Sequence, residues 1–211
     1  RELNNSETAF IFEADSPDYD IEVRFFTPTT EVPICGHATI AAHYVRAKER
    51  NMEGGTVVQK TKAGILPVEV VRTLSDYSIT MTQGTPAVSA PFGDTVRERI
   101  ADALGIAHEE ICREYPVAVA STGHSKVMVP LYSNELLHGL QPDLQKLTKI
   151  SKQIECNGYY VFTLNPQNKI LVHGRMFAPA IGIAEDPVTG NANGPLGAYL
   201  VHFNILQEED A

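Results

Sequence analysis

The stretch RMFAPAIGIAEDPVTGNANGPLGAYLV, residues 175–201, runs from a strand-like segment ending in proline, through a loop rich in Gly, Pro and acidic residues, into an apolar run of helical length. A shorter version lies near the front of the chain. There RFFTP at 24–28 leads through a short loop to GHAT at 36–39 and the helical segment TIAAHYV; the matching pieces of the second copy are RMFAP at 175–179, GNAN at 190–193 and PLGAYLV. Strand, loop, Gly-x-Ala and apolar helix recur in the same order, as expected of a duplicated lobe.

Around the first copy, AFIFEA, IEVRFFT, GTVVQKT, ILPVEVV and YSITMTQ alternate or are β-branched and are separated by turn residues, so they read as strands of one β-rich block. HATIAAHYVRAKER has helical length and is apolar on nearly every side until Arg46. A helix of that kind is normally surrounded by other structure, here the strands. QGTPAVSAPFG, residues 83–93, has no period and is the expected linker, with the boundary near Pro86. This divides the chain into an N-terminal lobe, 1–86, and a C-terminal lobe, 87–211.

The second half repeats the recipe. DTVRERIADALG reads as an amphipathic helix, PVAVAST and KVMVPL as strands, PDLQKLTKISKQI as a helix, GYYVFTL and KILVHGRMFAP as strands, and NGPLGAYLVHFNIL as a final apolar helix. Pro195 suits a first helical turn, and Asn191 and Asn193 suit the capping of its remaining donors. The expected fold class is therefore α+β, with two lobes built to one recipe, each with strands around an apolar helix.

At 211 residues with 43% hydrophobic content the chain can bury a substantial core. Its net charge of −9, with no basic cluster longer than RAKER at 46–50, excludes the footprint of a phosphate-backbone binder, so no nucleic acid is expected. No apolar stretch reaches the roughly 20 residues of a membrane span, and a soluble protein is expected. Cys35, Cys112 and Cys156 are odd in number and form no CxxC pair, which fits a reducing cytoplasm. The histidines show no HExxH or other ligand spacing, so no metal is expected, and the glycine-rich segments lack the form of a dinucleotide site. The chain opens at Arg1 and enters a strand after little lead-in, so further residues are expected ahead of it.

A helix start carries roughly +0.5 of a charge and unpaired N–H groups, and a glycine lets an anion approach closely. Gly36 and Gly190 open the two repeated helices, and a pseudo-twofold would bring both starts to one cleft, a place for a small carboxylate. His37 follows the first glycine and Asp186 precedes the second. Taken singly, His37 reads equally as a capping or core histidine and Asp186 as a turn former ahead of Pro187; their places in the repeat point them to the cleft, as orienting or proton-transferring groups. Glu7 stands where a polar turn meets an apolar strand, and by itself reads as a surface residue.

NNSETAF, TPTTEVPICGHATIAAHYV, STGHSKVMVP and GRMFAPAIGIAEDPVTGNANGPLGAYLV together resemble the PhzF family, which includes the phenazine-biosynthesis isomerase, along essentially the whole chain. The resemblance implies the diaminopimelate epimerase-like fold, two pseudo-symmetric lobes, each a β-barrel-like mixed sheet around a central apolar helix, with the active site between them. Initial strands ahead of Arg1 and closing strands beyond Ala211, a homodimer, and no metal or organic cofactor are implied by the same resemblance. It also makes Glu7, of the S-E-[ST] motif, the proton shuttle, reversing the reading of Glu7 by itself. His37 of the G-H pair and Asp186 of the E-D-x-x-T-G segment are implied to hold substrate and assist proton movement, with Gly36, Gly190 and Asn191 in substrate binding. Asn191 offers an amide where the phenazine enzyme has a serine hydroxyl, which leaves the identity of the substrate open. Epimerases of this fold use two thiols; Cys35 lies near the first position but Asp186 occupies the second, so Cys35 reads as a small buried residue. The expected function is a cofactor-independent proton-moving isomerase of a small carboxylic acid. An amino-acid or hydroxy-acid epimerase or racemase, and a noncatalytic small-molecule-binding module, stand as alternatives.

Overall fold

The computed structural model describes residues 7–156, 158–165, 171–187 and 189–206. The chain divides into two compact units, Arg1–Gly84 and Thr85–Ala211.

The first unit contains strands β1 (Thr8–Glu13), β2 (Ile21–Phe26) and β3 (Glu31–Val32), helix α1 (Gly36–Glu49), then β4 (Gly54–Thr61), β5 (Gly64–Arg72) and β6 (Tyr77–Met81). The sheet order is β1-β2-β4-β5-β6, with β3 paired to β2; β2 and β4 are parallel and the other pairs antiparallel. In β2 the alternation is complete: Ile21, Val23 and Phe25 are buried, while Glu22, Arg24 and Phe26 are partly exposed. Helix α1 packs against β6, β1 and β5. Since β1 and β6 end the strand order, the sheet must curl to bring both edges to one helix. The covering is one-sided, for Ile40 and Val45 of α1 are exposed, as are Phe10, Ile11 and Phe12 of β1.

The second unit contains β7 (Ala87–Val88), α2 (Asp94–Leu104), β8 (Ala118–Ser121), β9 (Lys126–Pro130), α3 (Asn134–Gly139), α4 (Leu144–Ile154), β10 (Tyr159–Asn165), β11 (Leu171–Ala178), β12 (Ile183–Asp186) and α5 (Gly190–His202). Its sheet runs β12-β11-β10-β9-β8-β7, and only β9 and β10 are parallel. A parallel pair needs a crossover, which α3 and α4 supply. Both faces are buried. Val127, Val129, Tyr159, Val161 and Phe177 pack with the residues of α2 and α4, and the alternate residues Met128, Tyr160, Phe162 and Met176 pack with Ala192, Leu196, Tyr199 and Leu200 of α5. Helix α2 ends where Gly105 takes the left-handed conformation, φ 76°, which a glycine adopts without steric cost.

Within the Pro- and Gly-rich segment read as a linker, Ala87 and Val88 form an edge strand on β8. The loop expected between RMFAP and GNAN instead holds a 3-10 turn, Pro179–Ile181, and strand β12. The two copies of the repeat now correspond closely: β2 pairs with β3 before α1, and β11 pairs with β12 before α5. Each also carries the same polar clasp. Arg24 binds Glu31 through two hydrogen bonds of 2.8 and 3.0 Å, and Arg175 binds Glu185 through two of 2.7 and 2.9 Å. Each guanidinium lies over an aromatic ring two residues on, Phe26 at 5.3 Å and Phe177 at 5.0 Å. The bonds from Arg24 and then Lys62 hold the Glu31 carboxyl down at about 2.

Candidate active site

Glu7 directly precedes β1, and the register that sets Thr8 opposite Phe26 places it at the end of β2 where the chain turns toward β3 and α1. Its side chain is only 8% exposed, so it is no surface glutamate. Gly36 is the buried first residue of α1, and Cys35 is the N-cap, without a side-chain capping bond. The Cys35 carbonyl accepts from the Thr39 amide at 3.0 Å and from the Thr39 hydroxyl at 2.7 Å, fixing the helix start. The amides of Gly36, His37 and Ala38 precede that first helical bond.

His37 therefore projects from the first turn of α1. Its Nε2 lies 3.4 Å from Glu7 Oε2, and Cys35 Sγ lies 3.7 Å from its Nδ1 and 3.8 Å from its Nε2. The interaction with the Cys35 sulfur, then that with the Glu7 carboxylate, raises His37 to about 10 against the opposing effect of burial. The imidazolium keeps 30% of its side chain exposed, open to a small molecule. The first turn of α1 has no acidic residue, while Arg46 and Lys48 stand in the last turn, so the positive end of the helix is left for an anion.

In the second unit Asp186 ends β12, opposite Met176, and is buried. Gly190 and Asn191 are the first two residues of α5, whose N-cap is Thr189. The first turn again lacks an acidic residue. Two expectations need correction. Because α5 begins at Gly190, Pro195 lies inside the helix and not in its first turn, and it is buried there. An interior proline costs about 3 kcal/mol, which its burial against the core offsets in part. Nor do the asparagines cap: they are helical, and the Asn193 side chain accepts a 2.8 Å bond from the Tyr160 hydroxyl. The Thr189 hydroxyl is buried without a hydrogen-bond partner, beside the helix start.

Cys35, read from sequence as a small buried residue, is buried, yet its sulfur faces His37. The signal was the Cys-Gly-His triplet itself. Arg175, which also went unremarked, positions the strand that ends in Asp186. Besides Glu185 it donates to the carbonyls of Leu137 and Leu140, both at 3.0 Å. A groove lined by Gly105, Glu109, Glu110, Tyr132, Glu135 and Gln141 contains none of the candidate residues.

The fold is that of the two-lobed epimerases. A hydroxyproline epimerase from Agrobacterium vitis superposes with a TM-score of 0.68 at 13% identity, covering 95% of this chain and 61% of that one. A PhzF-family phenazine biosynthesis protein of Bacillus anthracis gives 0.79 at 30% identity, covering 95% and 67%. The chain belongs to the PhzC-PhzF family of phenazine biosynthesis-like proteins, whose model matches residues 1–210, and it is an isomerase. An uncharacterized isomerase of Clostridium acetobutylicum is 57% identical over 97% of this chain and 68% of its own length. YddE of Escherichia coli, named an uncharacterized isomerase, is 51% identical over 99% and 69%. Among the described residues no helix is long and apolar enough to cross a membrane.

Proposed function

We propose that the protein moves a proton on a small carboxylic acid by general acid–base catalysis, without a cofactor. The observation that carries this reading is the contact between Glu7 and His37 at the start of α1. A carboxylate almost withdrawn from water, beside an imidazolium and a helix N-terminus, is a base positioned against groups that hold an anion. Glu7 takes a proton from a substrate carbon and returns it to another. His37 and the amides from Gly36 onward hold the substrate carboxylate and the charge that develops. One positioned carboxyl is worth about 10²–10⁴ in rate, so donors of this kind must supply much of the remainder. Asp186, Gly190 and Asn191 are proposed to take part in substrate binding, on the strength of the duplicated order of strand, loop and helix start and of the family motif.

Incubation in D2O with a panel of small amino, hydroxy and unsaturated carboxylates tests the reading, scored by mass gain and by change in ultraviolet absorbance or optical rotation. Substrate deuteration that Glu7→Gln abolishes is the expected result; deuteration at the full rate in that variant removes Glu7 from the mechanism.

The sulfur of Cys35 beside His37 favours one second reading, an epimerase in which the thiol is one of two acid–base groups. Cys35→Ser separates the two: the isomerase keeps its exchange, and the epimerase loses it.

A further inference from the structure

Glu7, Cys35 and His37 form more than an acid–base group. One ligand atom from each lies within 4.8 Å of the other two, and this is a cluster of metal-ligand types drawn from β1's lead-in and the start of α1. No two of the three stand at the i, i+4 spacing of a helical ligand pair. A tetrahedral zinc with Zn–S about 2.3 Å and Zn–N and Zn–O about 2.0–2.1 Å would separate its sulfur and nitrogen ligands by about 3.6 Å, and its nitrogen and oxygen ligands by about 3.4 Å. The protein holds Cys35 Sγ 3.8 Å from His37 Nε2, and that same nitrogen 3.4 Å from Glu7 Oε2.

We propose that Glu7, Cys35 and His37 bind one thiophilic divalent cation such as Zn²⁺, with an outside water as fourth ligand, and that its binding shuts off the isomerase. The donor set suits it: one thiolate, one imidazole and one carboxylate are each ordinary zinc ligands, and three protein ligands leave one coordination position open. The partial exposure of His37 gives the ion a way in. On binding, the His37 imidazolium and the Cys35 thiol each release a proton to the buffer, and the freed nitrogen and sulfur lone pairs take the ion. Inhibition rests on the acid–base reading above, because the ion occupies the lone pairs that Glu7 and His37 use; the binding itself does not.

Cobalt(II) reports the two separately. Titrating the metal-free chain with CoCl2 should give a near-ultraviolet sulfur-to-cobalt charge-transfer band that saturates at one ion per chain and that ZnCl2 displaces. Cys35→Ser should abolish the band, and Cys112→Ser should leave it intact. Glu7→Gln should keep the band while weakening affinity at least tenfold, since even outer-shell partners are worth about 10–100-fold. Thermal unfolding of each variant confirms that it is folded; if Cys35→Ser is not, protection of the Cys35 peptide from alkylation by ZnCl2 in the native chain makes the same assignment. No band, or a band that survives loss of Cys35, overturns the site. A band at Cys35 with deuterium exchange unaffected by saturating Zn²⁺ keeps the site and overturns the inhibition.

Discussion

His37 Nε2 lies 3.4 Å from Glu7 Oε2, and the Cys35 sulfur lies 3.7 Å from Nδ1 and 3.8 Å from Nε2 of the same ring. The antiparallel pairing of β1 with β2 brings the glutamate, and the α1 N-terminus brings the histidine. Replacing Glu7 by Gln keeps the shape and removes the proposed base. The expected outcome is a loss of about 10²–10⁴-fold in substrate deuteration with an unchanged far-ultraviolet circular dichroism spectrum.

His43, on the same helix, is a different kind of histidine. It is 1% exposed, its Nε2 is 3.0 Å from Gln59 Oε1, and its Nδ1 is buried without a partner. Burial first, and the nearby Arg46 charge, lower its pKa, while the bond to Gln59 opposes. The folded state thus refuses a proton that the unfolded chain accepts below about pH 6.5. The contribution is complete above that value and is lost as pH falls through the folded pKa. Below about pH 6.5 the unfolding free energy from urea denaturation should fall more steeply in the wild type than in His43→Gln, by up to about 1.4 kcal/mol per pH unit from this group.

Gly174 stands opposite Phe162 in the β10–β11 pair, and a methyl group there would overlap the ring of Tyr160. That ring reaches Asn193 in the first turns of α5. Gly174→Ala should destabilise the protein by about 1–3 kcal/mol, the usual cost of overpacking, measured by chemical denaturation. Additional truncation of Tyr160 to Ala should remove most of the penalty attributable to Gly174→Ala.

Arg175 serves Glu185 and the carbonyls at the end of α3 with one planar group. Lysine keeps the charge without the fork. Arg175→Lys should therefore lose about 1–3 kcal/mol of stability in urea denaturation, while a surface control such as Lys152→Arg changes little.

The duplicated order of RFFTP–GHAT and RMFAP–GNAN was legible in the sequence because it is carried by strand alternation, proline ends and apolar helices. The short elements β3, β12 and α3 were not, since two to six residues show no period. Pro195 misled for a related reason: proline favours a first turn, but tertiary burial holds it five residues further in. At the site, the neighbourhood of His37 with Cys35 could be suspected from adjacency. Glu7 joined them only through the family motif, because its approach depends on strand register, which no local pattern reports.

The paired clasps of Arg24 with Glu31 and Arg175 with Glu185 tie the outgoing strand to the returning one before either helix begins. Each acts as a buckle. The span it closes is seven residues in one copy and ten in the other, so the connecting segment can lengthen or shorten while the helix still sets out from the same anchor. A lineage can then edit the slack between the buckled ends without disturbing the sheet on one side of it or the helix on the other.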